Sequence, residues 1–171
     1  SAQQQLAHRN LHDQLTGLPN RALLFDRLGH ALHRAARHGR TVAAFFIDMD
    51  HFKRVVDTYG HLNGSMALRE VARTFRSLLR KPCFGVAYGG DEFVVVLPDT
   101  DSEGGLVVAQ RIRDRIAQRA FLAADGINWH LTSSVGIATL PDVARSSEEL
   151  LDAADRAMYH VKETGKNNIC L

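Results

Sequence analysis

Residues 84–98 read FGVAYGGDEFVVVLP, and this stretch decides the fold. Phe84 to Tyr88 and Phe93 to Leu97 are two short β-prone runs, and Pro98 with Asp99 stops the second. Only Gly89, Gly90, Asp91 and Glu92 separate them, which suits a β-hairpin whose turn uses the glycines for backbone angles that other residues resist. Any tight hairpin needs such residues, so two glycines alone say little. Glycines followed at once by two acids are more specific: the turn lets backbone approach a ligand while the acids face an ion.

Upstream, Thr41 to Ile47 (TVAAFFI) is a continuous apolar run, the pattern of a central strand with Asp48 at its carboxyl end. Asp48 and Asp50 bracket Met49; alternation puts both carboxylates on one side if the strand continues, and a bend after Asp48 separates them. Before the strand, Leu24, Phe25, Leu28, Ala31, Leu32 and Ala35 recur at helical spacing behind a polar turn, DQLTGLPNR at 13–21. Leu6, Leu11 and Leu15 begin a broken apolar spacing, consistent with residues 1–10 being the end of an upstream linker helix and 11–171 the domain proper. After the strand, Phe52 to Tyr59 reads as a short helix, Gly60 to Gly64 as a turn and Met66 to Leu79 as an amphipathic helix.

Beyond the hairpin come a helical pattern over Leu106 to Ile116 (Val107, Val108, Ile112, Ile116), a strand over Leu131 to Ala138, and a last helix over Ser147 to Lys162. Ser146 or Ser147 caps that helix ahead of Glu148 and Glu149, and Ile169 to Leu171 starts an edge strand. The order predicts an α+β fold, an antiparallel-rich central sheet with helices on one face, rather than a doubly wound parallel sheet.

The 171 residues fit one domain, and 45% hydrophobic with 23% charged residues excludes a disordered tail. A net charge of +2 does not supply the basic stripe of a nucleic-acid binder; Arg34, Arg37, His38 and Arg40 read as a solvated helix end or a phosphate-contacting patch. Two cysteines without partners at metal or disulfide spacing suit a reducing compartment, and no apolar run approaches the roughly 18 residues of a membrane span. The expected location is the cytoplasm, alone or as part of a larger, membrane-attached protein, with no direct membrane contact by this domain.

Asp48, Asp91 and Glu92, with Asp50 as the fourth if it shares their side, have no matching cationic cluster nearby in sequence and suggest a hard divalent ion, Mg²⁺ or Mn²⁺, that keeps waters and substrate phosphates as ligands. Lys162 and Lys166, four apart at the end of the last helix, suit its dipole; beside a metal–carboxylate site they and Lys53 are also candidate neutralisers of a triphosphate.

Six segments, DQLTGLPNR (13–21), DMDHFK (48–53), GH (60–61), YGGDEF (88–93), SSVGIA (133–138) and AMYHVKETGKN (157–167), resemble the successive motifs of the GGDEF family of diguanylate cyclases, from Leu11 to Ile169. The resemblance implies a fold similar to the palm of polymerases and adenylate cyclases, and a bacterial signalling activity that joins two GTP into cyclic di-GMP with release of pyrophosphate. It implies Asp48 and Asp91 as metal ligands with the Met49 carbonyl, and Glu92 as the acid that supports metal binding or hydroxyl activation. Lys53, Lys162 and Lys166 then resemble the triphosphate contacts, while Gly89 and Gly90 bring backbone close to the nucleotide. Catalysis in the family needs a homodimer, each copy presenting one nucleotide, under an upstream sensor or signalling domain.

Three positions depart from the family pattern. The Asn that reads guanine is Val56 here, and the acid that ends GHxxGD is Ser65. Losing a charge-assisted hydrogen bond of about 1.5–3 kcal/mol removes roughly tenfold or more of guanine preference. Ser at this position resembles relatives that make hybrid cyclic AMP-GMP, so ATP enters as a possible second substrate; a catalytically degenerate nucleotide-binding regulatory domain is the other alternative. Finally, the RxxD element of product inhibition reads Arg80, Lys81, Pro82, Cys83, and the Arg usually found before the aromatic of YGGDEF is Ala87. Product inhibition through this element is expected to be weak or absent.

Overall fold

The computed structural model describes residues 1–141 and 145–171, with backbone alone for 6–9. Strand β1 (Val42–Met49) is the middle of a five-stranded sheet ordered β2-β3-β1-β4-β5, where β2 is Phe84–Gly89, β3 Glu92–Pro98, β4 Ser133–Leu140 and β5 Ile169–Cys170. β1 runs antiparallel to both β3 and β4, and only β5, on β4, is parallel. The β2–β3 pair is the expected hairpin, with a register irregularity between Ala87 and Gly89 that turns the strand into the glycine turn.

The helices are α1 (Ala2–Leu11), α2 (Arg21–His38), α3 (Phe52–Leu78), α4 (Ser102–Gln118) and α5 (Ser147–Glu163). They cover both faces of the sheet, not one. Ala43, Phe45 and Ile47 pack with α3 and α4 residues such as Val71, Phe75 and Ile112; Ala44 and Phe46 pack with Leu24 and Leu28 of α2 and Leu150 and Met158 of α5. The reason lies in β1 itself, which has no polar residue before Asp48 and so cannot leave either face to water. Each fully buried Phe on such a strand contributes about 1.5–3 kcal/mol.

α5 lies on the sheet at Gly136. A Cβ there would overlap the Ala154 carbonyl oxygen and the Met158 nitrogen, so the absent side chain is what lets the helix backbone rest on β4. This close seating brings the end of α5 to the end of β1.

Other differences from expectation are local. The turn at 60–64 is one residue: Gly60, at φ 87 and ψ 169, kinks α3, and residues 61–65 are helical. Phe25 and Val107 are exposed, because the buried stripes of α2 and α4 run through Leu23, Leu24 and Leu28 and through Ala109, Ile112 and Ile116. α4 starts earlier than Leu106, capped by Asp101, and Ser146 is the cap of α5. The side chain of Leu6, first in the broken apolar spacing, lies outside the described residues. Arg34, Arg37, His38 and Arg40 are exposed at the end of α2, where Arg40 pairs with Asp99 at 3.3 Å. Among the described residues no helix is long and apolar enough to cross a membrane.

Candidate functional site

The end of β1 and the hairpin turn meet because they are neighbours in the sheet. Asp48 stands opposite Glu92 on one side and Ser134 on the other, and the Met49 amide donates to the Asp91 carbonyl at 3.2 Å. Gly90, at φ 54, makes the turn that returns Asp91 toward β1. Asp48, Asp91, Glu92 and the Met49 backbone are thereby gathered at one end of the sheet.

Lys162, near the end of α5, reaches this cluster. Its ammonium donates to Asp50 Oδ1 at 2.7 Å and to the Met49 carbonyl at 3.5 Å, and lies 3.4 Å from Asp48 Oδ2. The strand stops at Met49, and the bend separates the two aspartates. Asp48 stays at the edge of the cluster, while Asp50, 3% exposed, turns inward to accept from Thr132 Oγ1, Ser134 Oγ and the Asn167 amide.

The electrostatics follow from this placement. Burial, then hydrogen bonding with and repulsion from Asp91, pushes the Asp48 carboxyl up to about 7 against the pull of Lys162. Glu92 is also raised, by burial and by the nearby charges of Asp155 and Asp91, with Arg21 and Lys162 opposing. For Asp50, burial alone would raise the carboxyl, but hydrogen bonds from Lys162, Ser134 and Thr132 outweigh it and hold it low.

Asp48 Oδ1 is buried without a hydrogen-bond partner. An orphaned anionic oxygen beside a second carboxylate and a strand-end carbonyl is a donor set for a hard divalent ion. Among the described residues no group of three or more His, Cys, Asp or Glu is arranged to hold a metal by itself. The protein share therefore fits an ion that keeps water or phosphate oxygens, with Asp48, Asp91 and the Met49 carbonyl as the donors present.

Directly after β1, His51 takes φ 55 and α3 begins with no side-chain cap. Such a helix start favours an anion. Lys53 projects from its first turn, exposed. Lys166 follows α5 at φ 64, half-buried. Lys53 and Lys166 thus flank the carboxylate end, whereas Lys162 sits within it.

Val56 packs against the α3 backbone one residue before Ser65. Gly64, next to Ser65, faces Val56 so closely that a Cβ on Gly64 would lie 2.9 Å from Val56 Cγ2. Both Val56 and Ser65 are half-buried. Beside the hairpin is a cavity of about 400 Å³ lined by Asn20, Arg21, Leu68, Tyr88, Gly89 and Gly90, among others. The DQLTGLPNR turn builds its wall: Thr16 donates twice to Asp13, the Ala87 amide donates to the Pro19 carbonyl at 3.0 Å, and Arg69 Nε and the Arg76 guanidinium donate to the Leu15 and Thr16 carbonyls.

Two residues take contacts that the residue pattern did not indicate. Arg21 donates to the Tyr88 carbonyl at 2.9 Å and lies 3.8 Å over the Tyr88 ring, holding the strand that enters the glycine turn. Asp50 is the other. Arg21 could have been suspected as the last residue of the 13–21 motif; the partners of Asp50 become apparent only from the β1–β4 register.

A family model described as "Diguanylate cyclase, GGDEF domain" matches residues 10–168. The chain is 38% identical to the bifunctional diguanylate cyclase/cyclic di-GMP phosphodiesterase MucR of Pseudomonas aeruginosa, over 99% of this chain and 24% of that protein. It is 38% identical to the response regulator PleD of Caulobacter vibrioides, over 92% of this chain and 35% of that protein. The chain therefore spans about a quarter to a third of these relatives. The GGDEF domain of TpbB (YfiN) from Pseudomonas aeruginosa superposes with a TM-score of 0.88 at 36% identity, covering 94% of this chain and 93% of that one. The coiled coil and GGDEF domain of DgcB from Caulobacter crescentus, solved in complex with c-di-GMP, gives 0.91 at 28% identity, covering 99% and 89%. With the antiparallel palm-like sheet and the carboxylate hairpin both present, this chain is a GGDEF domain of the diguanylate cyclase family.

Proposed function

We propose that the chain is the catalytic half-site of a diguanylate cyclase: two copies face each other, each holding one GTP, and two GTP become cyclic di-GMP with release of two pyrophosphates. The observation that carries this reading is Asp48, one carboxylate oxygen of which has no partner, standing beside Asp91 on the glycine turn, near Lys162 and the uncapped start of α3. When bound, Mg²⁺ or Mn²⁺ polarises the phosphoryl oxygens and offsets their charge. Asp48, Asp91 and the Met49 carbonyl would hold it. Lys53, Lys162 and Lys166 neutralise the triphosphate and the leaving pyrophosphate, and the α3 N–H groups orient it. Glu92, raised in pKa and on the same sheet face as Asp48, is suited to support hydroxyl activation. An upstream sensor in a longer protein, with residues 1–10 ending the linker helix, would set the approach of the two copies.

A second reading concerns the base. Val56 against Gly64, beside Ser65, leaves the purine without the usual amide and acid, which favours relaxed purine choice and hybrid cyclic AMP-GMP as a product. Incubating the dimerised domain with Mg²⁺ and GTP, ATP or both, and identifying products by mass, tests both readings. Cyclic di-GMP from GTP alone supports the first, and mainly hybrid product from the mixture supports the second. Absence of any cyclic dinucleotide leaves the degenerate regulatory domain and overturns both.

A further inference from the structure

We infer that Asp50 is a positioning residue, one carboxylate that sets both Lys162 and Lys166 for the nucleotide triphosphate; the inference rests on the cyclase reading above. Asp50 Oδ1 accepts from Lys162 Nζ at 2.7 Å, and Oδ2 accepts from the Asn167 amide at 3.0 Å. Lys162 is the last-turn lysine of α5, and Asn167 is the residue after Lys166. Both Lys166 and Asn167 take left-handed backbone, φ 64 and φ 46, a conformation that a non-glycine residue keeps only when its surroundings hold it. The Lys166 amide donates to the Val161 carbonyl, and the Asp50 carboxylate fixes the next peptide, so the exit from α5 is clamped on both sides of Lys166.

The second anchor of the carboxylate is β4. Thr132 and Ser134 each donate to it at 2.7 Å, which locks Asp50 to the sheet independently of α5. A carboxylate so held gives Lys162 a partner other than Asp48, whose Oδ2 is farther away at 3.4 Å. Without Asp50, Lys162 would turn fully onto Asp48, and the 164–167 segment would lose its tie to β1. A structural staple alone predicts lost stability; a positioning residue predicts lost phosphate binding that depends on the lysines.

The test is calorimetric binding of a non-reactive α,β-methylene GTP analogue with Mg²⁺ to the 171-residue chain. Asp50→Asn is expected to weaken binding about tenfold, as the loss of an oriented ionic contact does. The same change in a Lys162→Met, Lys166→Met background is expected to cost almost nothing further, because neither lysine that Asp50 sets remains to be misplaced. A folded Asp50→Asn chain with unchanged affinity, or an equal tenfold loss in the Lys162→Met, Lys166→Met background, overturns the inference. Thr132→Val with Ser134→Ala frees the Asp50 carboxylate from its β4-side anchors, so it should weaken binding severalfold while Lys162 and Lys166 are present and cost almost nothing further once both are Met. Unchanged affinity in that folded variant, or an equal loss in the Lys162→Met, Lys166→Met background, also overturns it, even if Asp50→Asn does not fold. Binding of the analogue by a parent chain that forms no product separates failure of the cyclase reading from failure of this one.

Discussion

Asp48 stands opposite Glu92 across the β1–β3 ladder, so two carboxyl groups share one end of one sheet face. Both groups are raised, first by burial and then by neighbouring carboxylates, of which Asp91 acts on each. The site holds a charge repulsion that a divalent ion and a positively flanked triphosphate site would relieve.

Asp48→Asn should therefore abolish product formation and, in chelator, raise the melting temperature at pH 8. The sign follows from linkage. With a folded pKa near 7 against 3.8 unfolded, Asp48 contributes stability below about pH 3.8 that is lost as pH rises through 7. At pH 8 the parent carries the unfavourable carboxylate and the Asn variant does not. The gain should shrink toward pH 4; a variant less stable than the parent at pH 8 in chelator would contradict the assignment.

Gly136→Ala should destabilise the domain by about 3 kcal/mol, since the new methyl meets α5 backbone that cannot rotate away. Urea melts measure this. Activity per folded molecule should fall as well, because Lys162 is carried on the same helix.

Ser65→Asp restores an acidic acceptor beside Gly64 and Val56, and should shift product from a GTP and ATP mixture toward cyclic di-GMP. The readout is the product mass ratio at equal nucleotide concentrations. An unchanged ratio would place base choice elsewhere, with the wall at Asn20, Arg21 and Leu68 as the next surface to alter.

Cyclic di-GMP added at micromolar concentration should give no heat of binding at the Arg80 element. Arg80 is exposed and the position three residues on is a half-buried cysteine, so the charged partner that would complete the arginine's contact is missing. Stoichiometric binding lost on Arg80→Ala would contradict this.

The hairpin and the central strand were legible because their signals are local: two β-prone runs around a glycine pair, and an apolar run ending at Asp48. The second helical layer was less legible. Its seat depends on Gly136, one residue inside a strand whose missing side chain matters only once α5 is placed over it. Phe25 and Val107 share the helical spacing of their buried neighbours yet lie exposed, because spacing alone gives a helix face but not its rotation against the sheet. Asp48, Met49 and Asp91 lie together with Lys162 at the end of β1. Asp50 was not recognised as a hub because its partners Thr132 and Asn167 lie 82 and 117 residues away.

The most direct test of the central claim is pyrophosphate release measured alongside product mass for the dimerised domain with GTP and Mg²⁺. The account predicts two pyrophosphates per cyclic di-GMP formed, and neither product in Asp91→Asn. Nucleotide bound stoichiometrically with no pyrophosphate released from the parent domain would contradict it.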